Sequence, residues 1–592
     1  MWQAGGMTER SAGSDDPSQP TRPARTWSFE RGPALDRLAR GTFDVLVIGG
    51  GMTGTGVALD AASRGLRVAL VEKDDFASGT SSKSSKMAHG GLRYLQQREF
   101  RLVYENLAER QRLLDNAPHL ITPLPFLIPL FGHEGVVSKT VARSYSWALW
   151  LYDLTGGYRI GKRHRRIGRH EALEHLPSLH TDRLVAGFLY YDARGDDARV
   201  ALTLARTAAL SFGAVAANYA PVDGFLHDEA GRVIGARVAP RRMGDEPDRD
   251  PIDVRANVVV NATGVWADEV RSLDEGDEPA SLRPAKGIHI TVPRSRLDCD
   301  IAAVIPVPKD KRSVFVVPWP EADLVYVGTT DTDYQGSLED PECTPDDVDY
   351  LLDAVNGSTS AALTRADVTG VWAGLRPLLA PRGGRRISAR TADLSRRHSV
   401  HTSASGVITV TGGKWTTYRK MAEDTVDEVL ASWPAFGRRR CVTKNLALLG
   451  APGTTPATTV EHTVDPALLE HLAHRYGTEL DAVLALADER PALLEPIVDG
   501  LPYIGAEVVY AARAEMALGV EDVLSRRTRA LLQDARASAR SAEAVAALLG
   551  AELGWSSEVA AEQARAFSAG ALVELAAAGL PEPHDAPVEG AS

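Results

Sequence analysis

The sequence predicts an α/β fold in which a Rossmann-like dinucleotide-binding domain is combined with an antiparallel-sheet domain and an all-α C-terminal domain. Three observations support this prediction. A continuous apolar run that begins at residue 45, typical of a buried strand, directly precedes a glycine fingerprint. Strand-like runs such as SVFVVPW and LVYVGTT recur between residues 266 and 364. The chain beyond residue 460 is rich in Ala, Leu and Glu and shows helical periodicity.

The glycine fingerprint lies in the stretch FDVLVIGGGMTGTGV. Val45–Ile48 form a continuous apolar run that is typical of a strand buried on both faces. Gly49, Gly51 and Gly54 follow in G-x-G-x-x-G spacing, and Val57–Arg64 continue as a helix. Glycines at these points allow a tight turn, close approach of a pyrophosphate and close helix packing. This order of elements predicts a dinucleotide site at the helix N-terminus.

The next segment indicates which dinucleotide binds. A second strand, Arg67–Val71, ends at Glu72, about twenty residues after the fingerprint begins, where a carboxylate accepts a bond from a ribose 2′-hydroxyl. An acid at this position disfavours a 2′-phosphate, so FAD or NAD is expected rather than NADP.

The run TSSKSSKMAHGGLRYL (Thr80–Leu95) favours FAD. An NAD-binding domain would continue here with a further βα unit, but this run is instead rich in hydroxyls and exposed N–H groups. Such groups suit the second phosphate, the ribityl chain and the flavin edge of FAD. A flexible loop is the alternative, but it would not explain Lys86, His89 and Arg93 beside glycines.

Composition sets further bounds. The chain has 592 residues, 44% apolar and 24% charged, and a net charge of −12, which argues against a general nucleic-acid binder. Cys299, Cys343 and Cys441 form no CxxC pair, so we expect neither a disulfide framework nor a metal site, and a reducing cytosol fits best. No apolar run reaches the length of a transmembrane helix.

The motifs resemble those of the FAD-dependent, respiratory-type sn-glycerol-3-phosphate dehydrogenases. The resemblance starts at Thr80–Leu95 and continues in family order through later blocks. These are VNATGVWAD (Val260–Asp268), KGIHITVP (Lys286–Pro293), VFVVPW (Val314–Trp319), VGTTDTDY (Val327–Tyr334), GLRPLL (Gly374–Leu379), TGGKWTTYRKMAED (Thr411–Asp424) and the helical EVVYAARAEMALGVEDVLSRRTR (Glu507–Arg529).

The resemblance implies a Rossmann-like FAD-binding domain of the glutathione-reductase and D-amino-acid-oxidase type. We expect FAD to be held non-covalently, because no cysteine lies in a flavin motif. Fingerprint and resemblance together give the expected cofactor-binding residues. These are Gly49, Gly51, Thr53, Gly54, Glu72, Lys73, Thr80, Ser81, Ser82, Ser85, Lys86, His89, Gly91, Leu92, Thr263, Gly264, Gly413, Lys414 and Thr416.

The implied substrate is a small phosphomonoester, which needs several cations. Arg93, Arg376 and Lys414 each adjoin an expected flavin contact and are predicted to bind the phosphate, with Tyr94 as a further substrate contact. Alternatives remain open at this stage: Arg376 could pair a buried carboxylate, Arg93 could lie along a helix surface, and Tyr94 could belong to an amphipathic helix.

Alcohol oxidation also needs a base. His289 lies on the predicted strand KGIHITVP, which the resemblance places over the flavin, and is the predicted base; His89 is predicted to contact or orient the flavin. From the residues alone, a hydrogen-bonded core histidine is the more usual interpretation of His289, and only the resemblance favours the base.

Predicted boundaries follow from these blocks. We expect disordered tails at 1–41 and 578–592, and an oxidoreductase region at 42–432. Its FAD-binding segments are placed at 43–125, 185–265 and 365–430, and its substrate domain mainly at 266–364. A linker is predicted at 433–459 and a helical domain at 460–577.

The segment 126–184 is predicted to be a membrane-contact insertion. Within it, basic residues cluster beside Trp147, Trp150 and Tyr152, a pattern that suits an anionic membrane surface. The alternative is a solvated basic face with aromatics in the core. The resemblance implies a homodimer that is cytoplasmic, bound peripherally to the inner face of the membrane, and delivers electrons to a membrane quinone.

We therefore expect oxidation of sn-glycerol 3-phosphate to dihydroxyacetone phosphate, with His289, Arg376, Lys414 and Arg93 as catalytic residues. Three alternatives remain: an oxidase that uses O₂, an amine or amino-acid oxidase of related fold, and a non-catalytic flavoprotein scaffold. The three cations argue against a zwitterionic substrate.

Overall fold

The structure, a computed structural model, describes residues 29–92, 99–132, 139–154, 156–243, 247–276, 279–307, 312–380, 397–454 and 464–582. Its strands are β1 Thr42–Ile48, β2 Val68–Val71, β3 Met87–Ala88, β4 Ile121–Phe131, β5 Arg165–Gly168, β6 Leu184–Gly195, β7 Val215–Ala217, β8 Val222–His227, β9 Val233–Val238, β10 Ile252–Asn261, β11 Leu282–Pro293, β12 Ala302–Pro306, β13 Ser313–Pro318, β14 Leu324–Gly328, β15 Thr332–Asp333, β16 Gly370–Leu379, β17 His398–Thr402 and β18 Ile408–Gly412.

The α-helices alternate with these strands and dominate the C-terminal part. They span Arg31–Arg40, Met52–Ser63, Phe100–Asn116, Lys139–Leu154, Arg169–His175, Asp197–Phe212, Ala267–Glu275, Pro345–Asn356, Tyr418–Ser432, Pro466–Tyr476, Leu480–Glu489, Gly505–Ala514, Ala530–Gln533, Ala535–Leu553 and Ser557–Ala577. None of the helices in the described ranges combines the length and apolar character that crossing a membrane requires.

The first sheet is built around five parallel strands in the order β18-β10-β1-β2-β7, with β17 and the β8–β9 pair added antiparallel. In β1, Val45 and Val47 pack with the helix Met52–Ser63, while Leu46 and Ile48 pack with Leu35 on the opposite side. Both faces are covered, as the continuous apolar run predicts. The strand order and the two covered faces confirm the predicted α/β fold with its Rossmann-like domain.

The second sheet has the order β15-β11-β14-β13-β12-β4-β6-β3, with β16 paired to β11 and β5 to β6. Its pairings are antiparallel except for β4 with β12, which run parallel. Strand β11 pairs with both β14 and β16 along His289–Thr291, so this part of β11 lies inside the sheet.

The second sheet extends beyond the predicted substrate domain of 266–364. Strand β5 lies in the predicted 126–184 insertion, and β4 crosses into it from the predicted FAD segment 43–125. Apart from Leu184, β6 lies in the predicted FAD segment 185–265, and β16 lies in the segment 365–430. β6 pairs along most of its length with β4, and their apolar residues join the cores beneath this sheet. The boundaries differ because pairing between distant segments, not local composition, decides membership of a sheet.

The predicted tails also differ from the structure where it describes them. Within 1–41, Arg31–Arg40 form a helix whose Leu35 and Leu38 are fully buried against the first sheet, and residues 1–28 lie outside the described residues. Within 578–592, Ala578 and Leu580 pack into the core of the second sheet, and residues 583–592 lie outside the described residues. A few apolar residues in a polar segment are sufficient to dock it.

The predicted linker 433–459 is packed where the structure describes it, up to residue 454. Oγ1 of Thr443 donates to Asp60 at 2.9 Å, and Leu448 is buried. Its proline-rich composition indicated a free linker, but these contacts tie it to the helix Met52–Ser63. Residues 455–463 lie outside the described residues. The helices beyond residue 465 agree with the predicted helical domain.

Candidate active site

A cavity of about 770 Å³ lies where the carboxyl ends of the parallel strands face the second sheet. Ligands of open α/β sheets bind in this position. Most of the predicted cofactor and substrate residues that the structure describes line it. They are Gly49, Gly51, Thr53, Glu72, Lys73, Thr80, Ser81, Ser85, His89, Gly91, Leu92, Thr263, Gly264, His289, Arg376, Gly413, Lys414 and Thr416.

The glycine turn after β1 is fixed by close backbone packing. Gly49 has φ +108°, and a Cβ there would lie 2.7 Å from the carbonyl oxygen of Ala262. A Cβ on Gly54 would lie 1.8 Å from the carbonyl oxygen of Gly49. Gly54 therefore does not line the cavity but allows the helix to pack against the turn that does.

The N-terminus of the helix Met52–Ser63 faces the cavity beside the Thr80–Leu95 run. The hydroxyl of Ser81 accepts a hydrogen bond from the backbone N–H of Met52 at 2.8 Å, and Thr80 donates to the carbonyl of Leu375 at 2.6 Å. The run thus bridges the helix N-terminus and β16. Backbone N–H groups at this position are suited to a pyrophosphate.

Glu72 occupies the position expected of the ribose acceptor. Its carboxylate accepts from the backbone N–H of Gly50 at 2.6 Å and of Asp74 at 3.0 Å, and burial raises its pKa to about 7. A carboxylate has about four lone-pair sites, so acceptor capacity remains for ribose hydroxyls. Lys73 lines the cavity rim, where it pairs with Glu339 at 2.6 Å and lies over the Trp266 ring.

Two predicted cofactor residues lie behind the cavity wall. The hydroxyl of Ser82 donates to the carbonyl of Gly79, and the ammonium of Lys86 donates to the carbonyl of Ser82 at 3.1 Å and to Asp197 at 3.2 Å. Lys86 is 4% exposed and directed away from the cavity. Spacing placed it among flavin contacts, but a left-handed backbone at Lys86, φ +54°, turns its side chain inward.

His289 lies on β11 with its ring inside the protein. Its Nε2 is 2.8 Å from the hydroxyl of Ser85, and its ring stacks on Trp372 at 4.7 Å between centroids, with an interplanar angle of 8°. Burial, together with the charges of Lys86 and Arg376, lowers its pKa well below the usual 6.5. His289 is therefore neutral near pH 7 and able to accept a proton.

Arg376 projects from β16 into the same cavity. One guanidinium nitrogen donates to Oγ1 of Thr329 and to the carbonyl of Thr330, both at 3.2 Å, and another lies 3.5 Å from the carboxylate of Asp331. The alternative that Arg376 pairs with a buried carboxylate is therefore correct, and the carboxylate is that of Asp331. Arg376 nevertheless lines the cavity wall, where its guanidinium can bind a phosphate.

Lys414 lies after two left-handed glycines, Gly412 with φ +77° and Gly413 with φ +79°. The following helix begins at Tyr418, three residues after a short 3₁₀ turn starts, so Lys414 precedes the helix rather than occupying its first turn. Lys414 and Arg376 line one cavity with His289, as predicted. Arg93 and Tyr94 lie outside the described residues.

Sequence reasoning missed several residues of the cavity and its support. Arg312 lines the wall and donates to the carbonyl of Asp331 at 3.0 Å, which places a further cation near Arg376. It precedes the predicted strand β13, but the run KDKRS resembles a solvated charge cluster. The sequence around Trp372 and Asp197 does not indicate their place in the site. Trp372 reaches it by stacking on His289 of β11, and Asp197 by hydrogen bonds to Ser84 and Lys86, all of which are distant in sequence.

The chain matches the family model for FAD dependent oxidoreductases over residues 44–419, and that for the C-terminal domain of alpha-glycerophosphate oxidase over residues 441–560. It is 42% identical to a glycerol-3-phosphate dehydrogenase of Mycobacterium leprae over 93% of this chain and 92% of that protein. It is 43% identical to glycerol-3-phosphate dehydrogenase 2 of Mycobacterium tuberculosis over 89% of this chain and 87% of that protein.

A solved structure gives the same result. The glycerol-3-phosphate dehydrogenase of Bacillus halodurans, complexed with FAD, has a TM-score of 0.72 and 30% identity, and the match covers 93% of this chain and 99% of that chain.

Fold and cavity together define a FAD-dependent oxidoreductase. The residues present fit the cofactor, because the Gly49 turn has no space for a Cβ, a helix N-terminus faces the cavity, and Glu72 offers acceptor oxygens where a ribose is expected. The relatives refine the class: the chain belongs to the FAD-dependent glycerol-3-phosphate dehydrogenase family.

Proposed function

We propose that the protein oxidises sn-glycerol 3-phosphate to dihydroxyacetone phosphate with FAD as its bound cofactor. The observation that carries this proposal is the placement of Arg376, Lys414 and His289 in one cavity. Two fixed cations suit a phosphate dianion, and the guanidinium can bind its oxygens in pairs. The names of the relatives at 42% and 43% identity support the same substrate.

The roles follow from the geometry. FAD, when bound, supplies the acceptor for the hydride that leaves C2 of the substrate. His289 takes up the proton of the C2 hydroxyl at Nε2, directly or through the hydroxyl of Ser85, which lies 2.8 Å away. Trp372 fixes the plane of the ring by stacking, and Arg376 and Lys414 hold the phosphate so that C2 lies near the histidine.

Anaerobic mixing tests the proposal. The holoenzyme is mixed with glycerol 3-phosphate, and separately with glycerol, while the visible band of the flavin is followed. We expect bleaching by the phosphate ester alone, because glycerol lacks the group that Arg376 and Lys414 bind. Bleaching by amines with none by the ester would favour an amine or amino-acid oxidase. No bleaching by any of these substrates would favour a scaffold.

We also propose that a membrane quinone accepts the electrons, at the inner face of the cytoplasmic membrane. Support comes from an exposed surface on and after the helix Lys139–Leu154. Trp147 is 78% exposed and Trp150 is 49% exposed, and exposed basic residues follow at 162–169. Tyr152 does not belong to this surface, because it is buried and donates to Asp192 at 2.5 Å.

Vesicle binding and acceptor assays test this second proposal. We expect sedimentation with vesicles that contain anionic lipid, and loss of it in Trp147→Ala/Trp150→Ala. Quinone reduction should exceed peroxide release in air. The name of the matching C-terminal family gives the oxidase alternative a specific basis, so peroxide equal to substrate consumed would select it. Light scattering during gel filtration tests the homodimer that the resemblance implies.

A further inference from the structure

The C-terminal helical region reaches the flavin side of the molecule through Arg529. This side chain is 1% exposed, and its residue adopts a left-handed backbone with φ +76°. L residues rarely hold that conformation unless their surroundings fix it. Arg529 is also remote in sequence from the cavity motifs, so its contacts there show what the C-terminal region contributes to the site.

Arg529 binds Asp197, which lines the cavity, and Ser82, which lies behind the cavity wall. One terminal nitrogen of its guanidinium donates to the carbonyl of Ser82 and, at 3.1 Å, to the carboxylate of Asp197. The other donates to the carbonyl of Ser525 at 2.8 Å, which anchors the side chain in its own segment. The planar fork therefore joins the C-terminal region to the Thr80–Leu95 run.

Asp197 extends this connection along the run. Its carboxylate accepts from the backbone N–H of Ser84 at 2.9 Å and from the ammonium of Lys86 at 3.2 Å. Burial and the nearby charge of Arg529 lower the pKa of Lys86 to about 8. Residues 82–86 are thus held from behind at Ser82, Ser84 and Lys86, in a buried network in which each contact supports the others.

Ser85, the residue between these anchors, faces the cavity. Its hydroxyl is 2.8 Å from Nε2 of His289, and its carbonyl accepts from the hydroxyl of Tyr326 at 3.1 Å. A shift of the anchors would therefore change the distance between Ser85 and His289. We propose that Arg529 is a positioning residue, which holds residues 82–86 against the flavin cavity and so fixes the contact of Ser85 with His289.

A matched control exists on the same interface. Arg206 is 3% exposed and joins the helix Asp197–Phe212 to the C-terminal region through Glu479, at 2.7 and 2.9 Å, and through Tyr510. Among the residues that the structure describes, Arg206 donates to Ala514, Glu479 and Tyr510 and to none of residues 80–92. Arg206→Met therefore removes a buried interdomain arginine without touching the run, and separates loss of stability from loss of positioning.

The test compares Arg529→Met with Arg206→Met in the full-length holoenzyme. We expect Arg529→Met to reduce the rate of flavin reduction by glycerol 3-phosphate about 100-fold, as a displacement near 1 Å would, with KM within about threefold. It should also raise the Kd for FAD at least tenfold, as expected when residues supporting a binding site are lost. Arg206→Met should leave both values within threefold, and Arg529→Lys should recover part of the loss.

The expected change in reduction rate rests on the proposed function, whereas the Kd for FAD does not depend on the substrate. Failure of the proposed function can therefore be distinguished from failure of the positioning role of Arg529. Suppose that glycerol 3-phosphate bleaches the wild-type flavin, and that Arg529→Met equals Arg206→Met in both reduction rate and Kd for FAD. This result would overturn the positioning role of Arg529 and leave the proposed function intact. Should Arg529→Met fail to fold, Asp197→Asn carries the same prediction from the other side of the contact. Wild-type FAD affinity and reduction rate in that variant would overturn the inference.

Discussion

The two sheets that wall the cavity contribute to it in different ways. The mostly parallel sheet contributes turns at strand ends, where Gly49, Gly264 and Gly413 expose backbone to the cavity. The mostly antiparallel sheet contributes side chains from strand faces, with His289 on β11 and Arg376 on β16. The first arrangement suits a long cofactor that needs backbone donors, and the second suits a small substrate that needs charge and a base. Lys414 is the exception, because the turn after β18 of the first sheet places this proposed phosphate-binding cation in the cavity.

This difference teaches that cofactor binding and substrate chemistry can be separated by mutation. Changes in the turns of the first sheet should alter FAD affinity. Changes on the faces of β11 and β16 should alter substrate binding or reduction rate while the flavin stays bound. Each prediction below tests one side of this separation.

The largest effect is expected for His289→Gln. Removal of a positioned base costs about 10²- to 10⁴-fold in the rate of flavin reduction, because the C2 hydroxyl then has no group to accept its proton. Stopped-flow measurement with glycerol 3-phosphate gives this rate, and the flavin-to-protein ratio should equal that of the wild type. A wild-type reduction rate would exclude His289 as the base.

Arg376→Ala should weaken binding of the substrate by about 2–5 kcal/mol, roughly 30- to 4,000-fold, because it removes one partner of a buried charged contact. Titration of the reduction rate against substrate concentration measures this change, with FAD content again intact. Arg283→Ala is the control, since Arg283 is a half-exposed arginine of β11 that pairs with Asp333. Equal substrate affinities in the two variants would separate Arg376 from the phosphate.

The turn after β1 and the residues of the substrate site show where sequence reasoning was sufficient and where it was not. The β1 turn and the helix after it were predicted from local order, because each requirement falls on residues close in sequence. His289, Arg376 and Lys414 were placed in one site by the resemblance, and the structure brings them to one cavity. Nothing local predicts that His289 faces Trp372 across the β11–β16 ladder.

The direction of a side chain was also beyond local pattern. Lys86 stands among hydroxyls and glycines, and only its left-handed backbone shows that its ammonium is buried behind the wall. The apolar residues that dock Arg31–Arg40, such as Leu35, are too few to distinguish a helix from a polar tail by composition. Both cases depend on contacts with segments far away in sequence.

Gly54→Ala tests the first sheet. Its Cβ would lie 1.8 Å from the carbonyl oxygen of Gly49, so the turn must shift. A strained insertion of this kind costs about 1–3 kcal/mol, so we expect FAD to bind roughly 5- to 150-fold more weakly. Fluorescence titration of the apoprotein with FAD measures this. Gly224→Ala, where a Cβ meets nothing within 4 Å, should bind FAD normally, and equal affinities for both would remove the turn from the cofactor site.

The smallest effect concerns pH. Burial, Lys86 and Arg376 hold the pKa of His289 well below 6.5, so the histidine stays unprotonated as the pH falls through 6.5 and is lost as a base only at lower pH. We expect the acid limb of kcat/KM that depends on His289 to lie below pH 6.5. The substrate phosphate, with a second pKa of about 6, adds its own limb, which His289→Gln should retain. A His289-dependent limb at pH 7 or above would contradict the assignment.

The most direct test of the central claim is a crystal structure of the holoenzyme with glycerol 3-phosphate or a non-reactive analogue. We predict phosphate oxygens within about 3.2 Å of the side-chain nitrogens of Arg376 and Lys414. The C2 hydroxyl should face Nε2 of His289 or the hydroxyl of Ser85. A phosphate bound away from both cations, or a C2 hydroxyl directed away from His289, would contradict the convergence of the two sheets on one substrate.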